Sequence, residues 1–262
     1  MTDTQIQLPV VPRREFLRTF GREYKKRPRH LTMLGPTQRG KSRLCVGLLN
    51  AVISPDLRAL VLVGKPPGRE RTWSDETAKK LRLRIIETWP PGYSFRDRSG
   101  NGWMLRPKHG MTDPNADDAN LHNQFGKGIH GAYATKPKRK PYGVSGKIIT
   151  VVDEGHQVQH DLRLKKDCEA PLMRGLPDNA MWTLVQRGRN ISYLCYDAPE
   201  DVFIFFDPDR SNQQRYAEIG GIDTAEVIEI SKSLKVRKVE SGGTISQALY
   251  IPRSGAMCIV DT

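Results

Sequence analysis

Three clusters in this 262-residue chain have the residue types and spacing that chemistry on a phosphate needs. The first is Gly35-Pro36-Thr37-Gln38-Arg39-Gly40-Lys41-Ser42, which fits GxxxxGK[ST], follows an apolar run and opens a helix-like stretch. Glycines let backbone amides turn inward, the helix start brings partial positive charge, Lys41 reaches the outer phosphates, and the Ser42 hydroxyl suits magnesium. The second cluster is Asp153-Glu154, at the end of the apolar stretch Ile148 to Val152. Ligands bind at the carboxyl ends of parallel strands, so Asp153 can join a magnesium shell and Glu154 can orient or deprotonate a water. That second acid favours hydrolysis over transfer to a small acceptor. The third is Gln186-Arg187-Gly188-Arg189-Asn190, where Arg187 or Arg189 could stabilise charge on a transferring phosphoryl group, from the same or a neighbouring subunit. The expected ligand is a nucleoside triphosphate and the expected cofactor Mg2+.

Short buried strands alternating with helices must hold these clusters. His30 to Gly35 reads as a strand, Lys41 to Ile53 as a helix stopped at Ser54-Pro55, and Ala59 to Val63 as a second strand. Ser74 can cap a helix that runs to about Leu81, and Leu83, Ile85 and Ile86 suggest a third strand. Further elements are a helix from about Asn115 to Tyr133, the strand Ile148 to Val152, a helix from Leu162 to Met173, and strands at Ile191 to Tyr196 and Val202 to Phe206. The pattern predicts an α/β fold with a mostly parallel sheet covered on both faces. The expected divisions are a basic arm and helix at 1–29, a P-loop core at 30–222 with an elaboration at 90–147, and a small β extension at 223–262. Its short strand-like pieces read as a hairpin on the sheet edge.

Lys plus Arg total 42 against 29 Asp plus Glu, a net charge of +13 that favours an anionic partner. Part of the excess lies between Arg13 and Arg29, where Phe16, Leu17, Phe20 and Tyr24 recur at helical spacing. This predicts a basic amphipathic helix docked on the protein body with its charged face open to phosphate. A second basic cluster is Lys136, Lys138, Arg139 and Lys140, and Arg69 and Arg71 follow the second strand; nucleic acid, phospholipid and acidic protein all qualify as the anion. The longest apolar runs, Ala59 to Val63 and Val202 to Phe206, are far too short to cross a bilayer, so no stable membrane insertion is expected. Cys45, Cys168, Cys195 and Cys258 form no CxxC pair and read as free, packed thiols. The histidines show no zinc-like spacing with them. Trp73, Trp89, Trp103 and Trp182 read as packing residues before stacking platforms.

In their order along the chain these motifs resemble the FtsK/HerA branch of motor ATPases, especially viral genome-packaging ATPases. The likeness runs from about Leu31 to Asp207 and rests on the phosphate loop, on Asp153-Glu154 followed by Gly155 and His156, and on Arg187-Gly188-Arg189-Asn190 leading into a strand closed by Ala198-Pro199. Asn190 stands where members often have His, and Asp197 stands where they carry Gln at a strand end. The resemblance implies a RecA-like core, a pentameric or hexameric ring, arginine fingers acting in trans, and ATP-driven translocation of double-stranded DNA, with DNA contacts at Lys136, Lys138, Arg139 and Lys140 and at Arg69 and Arg71. For a packaging motor it further implies capsid or portal partners and a place in the host cytoplasm or at the virion vertex. A single-stranded DNA export or conjugation ATPase and a nucleotide or metabolite kinase share the phosphate loop. A GTP switch would need an NKxD guanine reader, which is missing.

Overall fold

A computed structural model describes every residue except 1–7, 26, 67, 69–70, 92–99, 111–112, 134–146, 175–178, 187, 189–190, 219–222 and 239–243. In chain order the elements are β1 (Val10–Val11), α1 (Arg13–Tyr24), β2 (Leu31–Leu34), α2 (Lys41–Val52), β3 (Leu57–Leu62), α3 (Asp75–Leu81), β4 (Arg84–Ile86), β5 (Gly102–Leu105) and α4 (Pro114–Tyr133). There follow β6 (Lys147–Val152), a π-helical turn (Gln157–Asp161), α5 (Lys165–Arg174), β7 (Asn179–Val185), α6 (Leu194–Asp197) and β8 (Asp201–Phe205). The chain ends with α7 (Arg210–Ala217), α8 (Thr224–Ser233), β9 (Val236–Lys238), β10 (Thr244–Pro252) and β11 (Cys258–Asp261).

The strands lie in the order β1-β11-β10-β8-β2-β7-β6-β3-β5-β4, with β9 paired to the start of β10. From β8 to β4 every neighbouring pair is parallel. Residues of one strand alternate between two cores, which explains near-continuous apolar runs in a sheet covered on both faces. Ala59, Val61 and Ile149 pack with Leu44, Leu48 and Leu81 from α2 and α3, whereas Leu60, Leu62 and Val152 pack with Leu121, Phe125 and Ile129 from α4. Phe16, Phe20 and Tyr24 bury the predicted stripe of α1, which stacks against Phe203, Tyr250 and Trp182. Gly21 marks where α1 crosses α2, since a Cβ there would meet the Ala51 carbonyl oxygen at 2.8 Å.

Three features differ from the sequence expectation. Ile191 to Tyr196 is not a strand: its second half belongs to the short helix α6, started by Ser192, whose Oγ accepts from the Leu194 amide at 3.3 Å. The strand of this region is β7, entirely buried and inserted between β2 and β6. Residues 102–105 form β5 between β3 and β4, inside the stretch expected to be an elaboration. The tail hairpin exists, but β10 also pairs with β8, so the sheet continues through it, with β11 and then β1 beyond. All four cysteines are buried and free, and all four tryptophans are buried. Among the described residues, no helix is long and apolar enough to cross a membrane.

Candidate nucleotide site

The phosphate loop leaves β2 at Leu34 and is tied down at once, since the Gly35 amide donates to the Val185 carbonyl at 3.2 Å. Gly35 and Gly40 take positive φ values of 144° and 90°, and a Cβ on Gly35 would lie 2.7 Å from the Cβ of Phe205. Only glycine fits that approach. The loop delivers the chain into α2, where the Leu44 amide donates to the Gly40 carbonyl at 2.8 Å; the amides before it lie outside the helical ladder and suit an anion.

Lys41 is the first residue of α2 and is 7% exposed. Its ammonium donates to the carbonyls of Gly35 at 2.5 Å and Pro36 at 2.7 Å. Burial pushes its pKa down to about 8, while the charges of Asp153, Asp207 and Glu154 oppose that shift. The Ser42 hydroxyl donates to Asp153 Oδ1 at 3.3 Å, across 111 residues of sequence. These two hard oxygen donors, side by side at the loop's mouth, fit a magnesium ion that would take its remaining ligands from phosphate and water.

Glu154 follows β6 in a left-handed conformation, φ 57°. Its Oε1 accepts from Gln186 Nε2 at 2.9 Å and forms an ion pair with Lys65. Lys65 follows β3 and Gln186 follows β7, so the chain leaving each strand that flanks β6 supplies a partner to this one carboxylate. Asp207, which follows β8, is buried; Tyr216 and Asn212 donate to its Oδ2 at 2.7 and 3.0 Å, and the Asp209 amide donates to Oδ1 at 2.9 Å.

From the far side the loop rests on β10. The buried Ser246 hydroxyl donates to the Arg39 carbonyl and lies 3.0 Å from Thr262 Oγ1, while the Arg39 guanidinium sits 5.2 Å from the centre of the Phe206 ring.

The structure thus brings together Gly35 to Ser42, Asp153 and Glu154. Arg187, Arg189, Lys136, Lys138, Arg139 and Lys140 lie outside the described residues, as do Asn190 and Arg69. Gly188 is described, and its carbonyl accepts from the Tyr196 hydroxyl. The comparison of Asp197 with the family's strand-end Gln is corrected: Asp197 is an exposed residue of α6, and the polar residue ending the strand between β2 and β6 is Gln186. Sequence reading had Gln186 inside the arginine-rich cluster without a role; its signal was its place directly after an unbroken seven-residue buried run. Lys65, Asp207 and Ser246 carried no such local signal.

A phosphate loop after one parallel strand, with an acid pair after another and a single strand between them, defines a RecA-like P-loop nucleotide-binding fold. Among solved structures the chain is similar to the genome packaging NTPase B204 from Sulfolobus turreted icosahedral virus 2. Its complex with sulfate aligns at TM-score 0.54 and 14% identity, covering 88% of this chain and 95% of that one. Its complex with AMPPCP aligns at TM-score 0.51 and 14% identity, covering 88% and 96%. No family model and no curated protein sequence matches the chain. The chain therefore shares the P-loop ATPase fold of that NTPase, in line with the fold the motifs' resemblance implies.

Proposed function

We propose that this chain is an ATP-hydrolysing DNA translocase that acts as a pentameric or hexameric ring and packages double-stranded viral DNA into a capsid. The observation that carries this reading is the meeting of Lys41, Ser42, Asp153 and Glu154 at the carboxyl ends of β2 and β6. Lys41 and the first amides of α2 bind the outer phosphates. Ser42 and Asp153 would hold magnesium, which when bound neutralises phosphate charge. Glu154 orients a water in line with the γ-phosphate and takes its proton, a role open to a carboxylate that is 20% exposed at the site mouth. Arg187 or Arg189 supplies positive charge from a neighbouring subunit. The fold likeness to an NTPase solved with AMPPCP supports ATP as the ligand.

Translocation needs contacts that ignore base sequence, so the DNA partners are backbone phosphates held by basic loops, with Lys136, Lys138, Arg139 and Lys140 as one set. The place of work is the host cytoplasm, at a capsid vertex with portal or capsid proteins as partners. The test is phosphate release by the purified chain at low salt, with and without duplex DNA. Stimulation by duplex and not by single strands is expected, and absence of any stimulation overturns the translocase reading. Mixing wild type with Arg187→Ala or Arg189→Ala is expected to depress activity more steeply than dilution for whichever arginine acts in trans.

A further inference from the structure

A surface groove of about 470 Å³ runs between α1 and α2, away from the nucleotide site. Asn50, on its α2 wall, lies about 14 Å along the helix from Lys41 at 1.5 Å per residue. Leu17, Arg18 and Arg22 of α1, with Lys25 directly after it, form the other wall, and the floor is the Gly21–Ala51 crossing. The cations continue past the groove. Arg14 is exposed one turn before Arg18, and at the same end the Arg13 guanidinium donates to the Arg43 backbone carbonyl at 3.0 Å. Burial and the charge of Arg43 both lower the Arg13 pKa.

Among the described residues, none of Arg13, Arg14, Arg18, Arg22, Lys25 and Arg43 forms an ion pair. Neither acid of α1, Glu15 or Glu23, lines the groove. An uncompensated row of this kind raises the local anion concentration and suits a polyanion. Arg14, Arg18 and Arg22 recur every four residues, steps of about 6 Å, or nearly two of the ~3.4 Å phosphate rises along one strand of duplex DNA. Flexible arginines at that spacing can reach neighbouring or alternate phosphates along the backbone and bind them bidentately.

A protein partner would need an apolar centre to anchor it. Among the described residues the large exposed hydrophobic ones, Val10, Ile85, Met173 and Tyr193, all lie outside the groove. Its floor offers the small residues Gly21, Gly47 and Ala51, the half-buried Leu17 is its one larger apolar side chain, and the Asn50 amide is a neutral donor.

We infer that the α1–α2 groove is a second, sequence-independent seat for the phosphate backbone of duplex DNA, separate from the basic loops. The inference rests on the translocase reading but concerns a different surface, and the two can fail separately.

The test measures binding of a fluorescently labelled duplex to the full chain by anisotropy over a range of salt, for wild type and for the triple variant Arg18→Gln, Arg22→Gln, Lys25→Gln. Loss of three phosphate contacts should lower the slope of log K against log salt by about 2.7 and weaken binding at low salt by about tenfold or more. Binding of a fluorescent ATP analogue should not change, which also shows that the variant is folded. Asn50→Glu, an exposed single change that places an acid in the groove, should weaken duplex binding severalfold. Unchanged slope and affinity in both variants, with wild type still binding duplex and hydrolysing ATP in response to it, overturns the groove alone. Wild type that binds no duplex overturns both readings. Poly-glutamate binding the groove as tightly per charge as DNA would make the occupant an acidic protein and overturn the DNA assignment.

Discussion

Charged residues are buried at both ends of the central strands, and the two ends treat them differently. At the amino ends of β2 and β8, Asp201 is 1% exposed and enclosed: Arg29 Nε donates to it at 2.7 Å and the Tyr250 hydroxyl at 2.6 Å. Burial raises its pKa while those two partners pull it back. Around it the His30 carbonyl accepts the Glu200 and Asp201 amides, and Trp182 Nε1 donates to the Tyr24 hydroxyl at 2.8 Å. At the carboxyl ends, Lys41, Asp153 and Glu154 carry their charges at the mouth of a loop built for an anion. The first cluster locks α1 and β10 onto the sheet. The second keeps charges whose partners an incoming phosphate can replace, which is the condition for binding and chemistry. A buried charge lends rigidity when its partners are fixed and reactivity when they can be exchanged.

The largest effect that would break this contrast comes from the reactive end. Glu154→Gln should lower ATP turnover by about 10²–10⁴-fold, the range of a lost general base, while nucleotide affinity holds. Lys41→Ala should abolish that affinity. Phosphate release and titration with a fluorescent nucleotide separate the two, and equal loss of both in the Gln variant would contradict the assignment.

At the locked end, Arg29→Leu leaves Asp201 buried with one partner fewer and should cost about 3 kcal/mol of stability in urea unfolding. Nucleotide affinity of the folded fraction should stay at the wild-type level; a large loss would mean that the two ends are coupled.

Ser246→Ala sharpens the contrast from a third direction, because it removes one donor to the loop's outer curve without touching an anion. The expected result is a nucleotide affinity about fivefold weaker, near 1 kcal/mol for one hydrogen bond, with little change in kcat. A fall in melting temperature with unchanged affinity would make Ser246 merely structural.

The smallest effect concerns His30, whose Nδ1 accepts from the Met181 amide at 3.0 Å. Burial holds its pKa below the usual 6.5, against the opposing charge of Glu200. The folded state therefore binds fewer protons than the unfolded state, and this site's contribution to stability is lost as pH falls below about 6.5. His30→Gln should flatten the slope of stability against pH in that window.

Much of the nucleotide site could be read without a structure, since its parts are local. The phosphate loop depends on glycines at fixed offsets between a strand and a helix, and the acid pair on being the first polar residues after a buried run. The arginine segment could be read as a cluster but not placed, because its neighbours mislead. Ile191 to Tyr196 is rich in strand-forming residues and yet turns into α6, held by the Ser192 hydroxyl, which accepts the Leu194 amide, and by Gln159, whose Oε1 accepts the Ser192 amide at 3.0 Å and whose Nε2 donates to Cys195 Sγ at 3.1 Å. Asn179 to Val185 lacks alternation because both its faces are buried, so periodicity gave no sign of β7. β5 was hidden in a region whose composition suggested loop.

The sequence alone determined the α/β class, the loop that receives phosphate, the acids that follow β6 and the basic stripe of α1, because backbone geometry and burial patterns act over a few residues. Only the tertiary structure decided which strand separates the loop from the acids, that Gln186 and not Asp197 stands at its end, and that Ser246 supports a loop 207 residues away. Those outcomes depend on which strands pair, and pairing is settled by packing both faces of the whole sheet, a condition that no local stretch of sequence contains.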